Sequence, residues 1–173
     1  MDTIIFLDID GVLNSNAYCD TLREIPLEER SEFDEISDYH LQMLAKIYHE
    51  CDAKIVLSSS WRTLYDEKNS NETPMKMYQY LVDSLLKYDM QIIDHTHVIN
   101  SNRPLEILTW LEEHGGKENY KYISLDDDFS KEHYEKYNLD DCLVHTIFFT
   151  HDINKGGLQQ KHVDLAIKKL KGI

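Results

Sequence analysis

The sequence predicts an α/β fold, a Rossmann-like parallel sheet flanked by helices on both faces, and three observations carry that prediction. The run Ile4-Ile5-Phe6-Leu7 is continuously apolar, as in a strand buried on both faces rather than one with a solvent side. Similar short runs recur at residues 53–57 and 120–125, separated by segments whose apolar residues repeat at helical spacing. Strands that alternate with helices form parallel sheets, because a crossover helix returns the chain to the same edge. With 173 residues, 42% of them hydrophobic, one domain spanning 1–173 can bury an adequate core.

The elements follow in order. The first strand runs into Asp8-Ile9-Asp10-Gly11. Carboxylates beside a core are costly unless compensated, so this stretch is either a polar turn closing the strand or part of a site that holds a cation. Residues 15–37 read as a small acidic flap, irregular except for a short helical turn near Leu27. Leu41, Leu44, Ile47, Tyr48 and Cys51 then mark a helix, with Ser37 or Asp38 as its cap. A second strand at 53–57 runs into Ser58-Ser59-Ser60-Trp61-Arg62. After a polar loop at 66–73, Thr73-Pro74 supplies a cap and first-turn proline for a helix faced by Tyr78, Leu81, Val82, Leu85 and Leu86. Met90-Gln91-Ile92-Ile93 reads as a short strand. Leu105, Leu108 and Leu111 mark a helix over 104–114, which Gly115-Gly116 stops. A strand at 120–125 ends in Asp126-Asp127-Asp128, another is expected at 145–150, and a helix over 159–170 closes the chain.

Composition excludes several classes. A formal net charge of −14 argues against broad non-specific attraction to nucleic acid or anionic membrane. No apolar run approaches the ~20 residues that span a bilayer, and the N-terminal apolar run is short and broken by Asp8 rather than signal-like. Cys19, Cys51 and Cys142 are odd in number and widely spaced, which fits a reducing, cytoplasmic compartment better than a disulfide or zinc framework.

In open parallel sheets, ligands bind beyond the carboxyl ends of the strands. Three of the predicted strands carry polar residues there: Asp8 and Asp10, then Ser58 to Ser60, then Asp126 to Asp128; Arg103 stands where a helix begins. Each feature alone is a common turn, solvated triplet or surface arginine. At one sheet edge they combine carboxylates suited to a hard cation with hydroxyls and a guanidinium suited to phosphate oxygens, the requirements of metal-assisted phosphoryl transfer.

On these residues the chain resembles the haloacid dehalogenase (HAD) superfamily, mostly phosphatases. Phe6-Leu7-Asp8-Ile9-Asp10-Gly11-Val12-Leu13-Asn14 is similar to its first motif, the strand ending in serine to its second, Arg103 to its third and Leu125-Asp126-Asp127-Asp128 to its fourth. Receiver domains use related residues in a different order, with the acidic pair first. Ser-Ser-Trp-Arg after the second strand, Arg103-Pro104-Leu105-Glu106-Ile107-Leu108 and Gly157-Leu158 resemble a narrower branch, the small HAD domains found in or related to Swiss Army Knife RNA repair proteins.

The resemblance implies Asp8 as nucleophile, forming an aspartyl-phosphate, and Asp10 as general acid and base. It implies Mg²⁺ held by Asp8, the backbone carbonyl of Asp10 and the fourth motif, with Asp127 ahead of Asp126 and Asp128 a bystander. Ser59, or Ser58 close behind, would contact phosphate, with Ser60 less favoured; Arg103 would do so as the third motif, with Lys87 its rival. Arg62 is balanced between substrate contact and a surface role, Asn14 is a further candidate for substrate contact, and Trp61 is either a stacking platform or a wedge. His95 and His97 lack a third ligand and read as loop residues. No full cap domain fits into the chain, so the site is expected to be open to a phosphorylated substrate on a nucleic-acid end or nucleotide. Small metabolites, phosphoproteins, transfer to an alcohol and a non-catalytic HAD-like binding module remain alternatives; no membrane partner is expected. Between Asp20 and Asp38 the flap carries eight acids against Arg23 and Arg30, which would repel a polyanion if it overhung the site.

Overall fold

The first strand, β1 (Asp2–Leu7), lies in the middle of a five-stranded sheet. In this computed structural model, which describes residues 1–65, 68 and 72–173, the strand order is β3-β2-β1-β4-β5, with β2 at Ala53–Leu57, β3 at Ile92–His95, β4 at Tyr120–Asp126 and β5 at Leu143–His145. All four pairings are parallel. The helices are α1 (Asn16–Arg23), α2 (Asp38–Glu50), α3 (Thr73–Leu86), α4 (Arg103–Glu113), α5 (Lys131–Glu135) and α6 (Gln160–Lys171). The expected Rossmann-like α/β sheet is therefore present.

Alternation along β1 divides the core. Ile5 and Leu7 point into a layer closed by α2, α3 and α6, where Leu44, Ile47, Leu81, Val163 and Ala166 pack. Ile4 and Phe6 point to the opposite layer, closed by α4 and α5 through Ile107, Trp110, Leu111 and Tyr134. Phe6 meets Trp110 edge-on, with ring centroids 5.4 Å apart; burying a side chain of this size stabilises by about 1.5–3 kcal/mol. Both faces of the sheet are covered, which is why its strands read as unbroken apolar runs.

Several elements depart from expectation. The flap contains a real helix, α1, capped by Ser15, whose hydroxyl accepts from the Tyr18 N–H at 3.2 Å; only Ala17 is buried in it, so no apolar stripe announced it. The turn near Leu27 is a 3₁₀ turn, Leu27–Glu29. Most of the polar loop at 66–73 lies outside the described residues. Strand β3 starts two residues later than expected, after Asp89 takes a left-handed turn (φ 55) and Met90 plugs the core. On α4 the deep face is Ile107, Trp110 and Leu111, while Leu105 and Leu108 are half-buried.

The strand expected at 145–150 is displaced. Leu143 and Val144 are the residues that pair with β4, opposite Ser124 and Leu125. Beyond Thr146 the carbonyls are taken by other partners: Ile147 accepts from Gly157 at 2.9 Å and Phe148 from Asn16 at 3.0 Å. The apolar run 147–149 is thus pulled out of the sheet. Among the described residues no helix is long and apolar enough to cross a membrane, and the three cysteines are unpaired.

Candidate active site

Register alone brings the first site residues abreast. Leu7 pairs with Leu57 on one side and Leu125 on the other. The ladder carries one step further, with Ser58 N–H donating to Leu7 at 2.8 Å and Asp8 N–H to Leu125 at 3.1 Å. Asp8, Ser58 and Asp126 therefore stand in a row where the three central strands end.

A fourth element supplies the positive charge. Asn100 and Ser101 turn the chain through left-handed conformations (φ 50 and 54), a local cost of about 1 kcal/mol each that tends to persist at functional sites. Asn102 then caps α4, accepting from the Leu105 N–H at 3.3 Å, and Arg103 enters the site from the first turn. One guanidinium nitrogen, Nη1, lies 3.1 Å from Asp8 Oδ2 and 3.2 Å from Asp126 Oδ2.

Asp126 is wholly buried, and its oxygens are well supplied. Oδ1 accepts from the backbone N–H groups of Asp128 and Phe129, at 2.9 and 3.1 Å; Oδ2 accepts from the Tyr134 hydroxyl at 3.3 Å as well as from Arg103. The short helix α5 exists to bring Tyr134 beneath this carboxylate. Asp127, by contrast, faces the cleft with its carboxyl pushed up to about 7 by burial and by the charges of Asp8, Asp126 and Asp128. Burial also raises Asp8 and Asp126, against the opposing pull of Arg103.

Carboxylate oxygens of Asp8, Asp126 and Asp127 lie within 4.8 Å of one another. One guanidinium, paired with Asp8 and Asp126, against three carboxyl groups leaves the cluster short of positive charge, and the donors are all hard oxygens. That set fits a divalent cation. Gly11 makes it sterically possible: its φ is +73, and a Cβ there would fall 2.1 Å from Asp127 Cγ. Any side chain at that position would push the carboxylate away.

Asp10 lies outside this cluster, on the cleft wall. Its Oδ1 accepts from Asn14 Nδ2 at 2.9 Å and its Oδ2 from the Trp61 indole at 3.0 Å. Asn14 is buried and also accepts from the Gly11 N–H, so its amide braces the loop instead of facing a substrate. Trp61 is likewise buried. It offers no stacking platform; it packs the loop and holds Asp10.

The serines separate by depth. Ser58 accepts from the Thr96 hydroxyl at 3.2 Å, away from the cleft. Ser59 accepts from the Trp61 N–H at 3.3 Å and, beside Asp8, partly opposes the rise that burial gives that carboxyl, while Ser60 lines the cleft. Arg62 is not a surface residue: Nη1 donates to the Ser59 carbonyl at 2.6 Å and Nη2 pairs with Glu106 at 2.8 Å. Glu106 was missed in the sequence. It is buried, accepts from the Ile99 N–H at 2.9 Å and lies 3.7 Å from Arg103 Nε, so it joins both arginines. Its only signal was an acid on the inner face of an amphipathic helix.

His95 pairs with the Tyr78 hydroxyl at 2.6 Å and His97 with Glu113 at 3.2 Å, so they share no site. The cleft itself has a volume of about 520 Å³. Asp8, Asp10, Arg62, Arg103 and Asp127 form its polar side, and Phe129, Phe148 and Phe149 form an aromatic rim that the sequence did not reveal. No residue of the flap lines it; the flap packs on α3, with Phe33 stacked on Tyr80, and on the loop after β5, where Asn16 donates to the Phe148 carbonyl and Asp20 meets His151 at 3.1 Å.

The model of the family described as "HAD domain in Swiss Army Knife RNA repair proteins" matches residues 4–156, a span that holds every site residue above. No curated protein matches the chain significantly.

Proposed function

The chain belongs to the family of HAD domains in Swiss Army Knife RNA repair proteins, and we propose that it is a divalent-metal-dependent phosphomonoester hydrolase working through an aspartyl-phosphate on Asp8. The observation that carries this reading is the meeting of Asp8, Asp126 and Asp127 at the carboxyl ends of β1 and β4, with the Arg103 guanidinium paired to Asp8 and Asp126.

In the first step an Asp8 oxygen attacks phosphorus. The ester P–O bond breaks as the Asp8–phosphorus bond forms, and Asp10 gives its proton to the departing alcohol oxygen. In the second step water attacks the same phosphorus, Asp10 takes its proton, and the acyl-phosphate P–O bond breaks to release phosphate and restore Asp8. Arg103 and the Ser59 hydroxyl hold phosphoryl oxygens. Trp61 and Asn14 fix the direction in which Asp10 points. Mg²⁺, held by Asp8, Asp127, Asp126 and the Asp10 backbone carbonyl, would neutralise charge on the phosphoryl group.

The substrate in this reading is a phosphate on a nucleic-acid end or nucleotide, in the cytoplasm. The family's RNA repair context supports it, as does a cleft that the acidic flap does not line. The test is turnover of 3′- and 5′-phosphorylated oligonucleotides, mononucleotides, sugar phosphates and phosphopeptides, with Mg²⁺, with chelator and with Asp8→Asn. Turnover that survives both chelator and the substitution would sink the mechanism; preference for sugar phosphates or phosphopeptides would sink the substrate class.

A further inference from the structure

After β5 the chain crosses the mouth of the cleft and presents Phe148 and Phe149, their rings edge-to-face with centroids 5.0 Å apart. Phe149 is 86% exposed, the most exposed large hydrophobic residue of the chain. A single exposed apolar side chain needs no explanation. Three further observations make this one informative.

The loop is pinned. The Phe148 carbonyl accepts from Asn16 and Thr150, both at 3.0 Å, and the Ile147 carbonyl from Gly157 at 2.9 Å. Gly157 takes φ +66 with its Cβ direction blocked by His40, and Gly156 lies against Ser15, so the returning chain is fixed by packing. Phe149 is therefore held out at the rim by the fold.

The rim is aromatic and borders the reacting groups. Phe129 lines the same cleft, its ring centroid 5.8 Å from the Arg103 guanidinium carbon, and Val98, also exposed, joins it.

The cleft also has little free positive charge. Among the described residues lining it, the cations are Arg62 and Arg103, and both are paired, with Glu106 and with Asp8 and Asp126. The chain carries a net charge of −14. Once the reacting phosphate is seated, the rest of the substrate finds aromatic surface rather than cations.

We propose that Phe149, with Phe148 beside it, is a stacking platform for a planar ring on the alcohol portion of the phosphomonoester. The site would then select phosphate esters whose leaving group bears a planar heterocycle, and hold that group by stacking. This rests on the reading of Asp8 as the reacting carboxylate. The ring is that of a free nucleotide or of the terminal nucleotide of a single strand.

The experiment compares adenosine 3′- and 5′-monophosphate with ribose 5-phosphate, which lacks the ring, on wild type, Phe149→Ala and Phe149→Trp. The ratio of kcat/KM for nucleotide over sugar phosphate is expected to fall about 5- to 100-fold in F149A, the range for loss of one base–aromatic stack, and to be restored in F149W. An unchanged ratio, including equal loss on both substrates, overturns the proposal. Dissociation constants for the same compounds, measured calorimetrically in an Asp8→Asn background with and without F149A, read the ring preference independently of turnover. If nothing is hydrolysed by the parent enzyme, the Asp8 reading fails, and the ratio of these constants alone upholds or overturns the platform. Trinucleotides ending in the same phosphate distinguish the sources: the same F149A factor identifies a strand end, and a factor confined to mononucleotides identifies free nucleotides.

Discussion

The indole nitrogen of Trp61 donates to the Asp10 carboxylate at 3.0 Å, from a ring that is otherwise buried. The turn after β2 thus controls a side chain on the loop after β1. A hydrogen bond to a charged group is worth about 1.5–3 kcal/mol. Trp61→Phe keeps an aromatic ring in the core and removes the donor, so kcat should fall about 10-fold or more while KM changes little. Steady-state kinetics beside a thermal melt distinguish this from unfolding; a parallel rise in KM would mean that Trp61 shapes substrate binding instead.

The Asp127 carboxyl fills the space a side chain on Gly11 would need, since a Cβ there would lie 2.1 Å from Asp127 Cγ. Gly11→Ala should abolish activity by displacing the carboxylate. It should also remove the cation's contribution to stability. Saturation at a hundred times the dissociation constant stabilises a protein by about 2.7 kcal/mol. Thermal unfolding of wild type should therefore shift upward with Mg²⁺ and return with chelator. Neither Gly11→Ala nor Asp127→Asn should respond comparably, and a full response in both would remove Asp127 from the cation site.

Glu106 is the shared counter-charge of Arg62 and Arg103, buried with both. Its deletion leaves one guanidinium buried without its partner and frees the other to lean on Asp8. Breaking a buried pair by removing one member costs about 3–5 kcal/mol. Glu106→Ala should lose that much in denaturant-induced unfolding, whereas Glu106→Gln, whose single carbonyl oxygen keeps one of the two bonds that Ile99 and Arg62 donate, should lose less. Equal losses would show that packing, not charge, holds this corner.

Legibility in the sequence divides between pattern and packing. The sheet could be read because β1, β2 and β4 are buried on both faces and leave unbroken apolar runs. Asp8, Ser59, Arg103 and Asp127 could be proposed because strand ends and a helix start are visible as pattern. Glu106 and Tyr134 could not, since each looks like an ordinary helix residue until tertiary packing aims it at an arginine or a carboxylate; Trp61 could be read as a wedge, but not its bond to Asp10. The run Ile147-Phe148-Phe149 misled for a related reason: its composition suits a strand, but Asn16 and Gly157 take its carbonyls. Composition records burial well and records long-range hydrogen-bond partners hardly at all.

Stability should also carry a pH signature away from the site, at His162. Its Nδ1 accepts from the Gln159 N–H at 2.9 Å, closing a capping box at the start of α6, and an acceptor nitrogen carries no proton. Burial, then Lys161, His145 and His40, push its pKa down to about 4. In the unfolded chain the ring titrates near its ordinary value of about 6.5. Between these values the unfolded state binds the extra proton, so stability is complete above about pH 6.5 and is lost as pH falls toward about 4, by up to about 3 kcal/mol. His162→Gln keeps an acceptor for the Gln159 N–H, as glutamine does in other capping boxes, and removes the titration. The difference in unfolding free energy between wild type and H162Q, measured from pH 4 to 8 at constant ionic strength, should therefore tilt against wild type on the acid side. A difference independent of pH would mean that the ring takes up its proton as readily in the folded protein as in the unfolded one, and that the box is closed some other way.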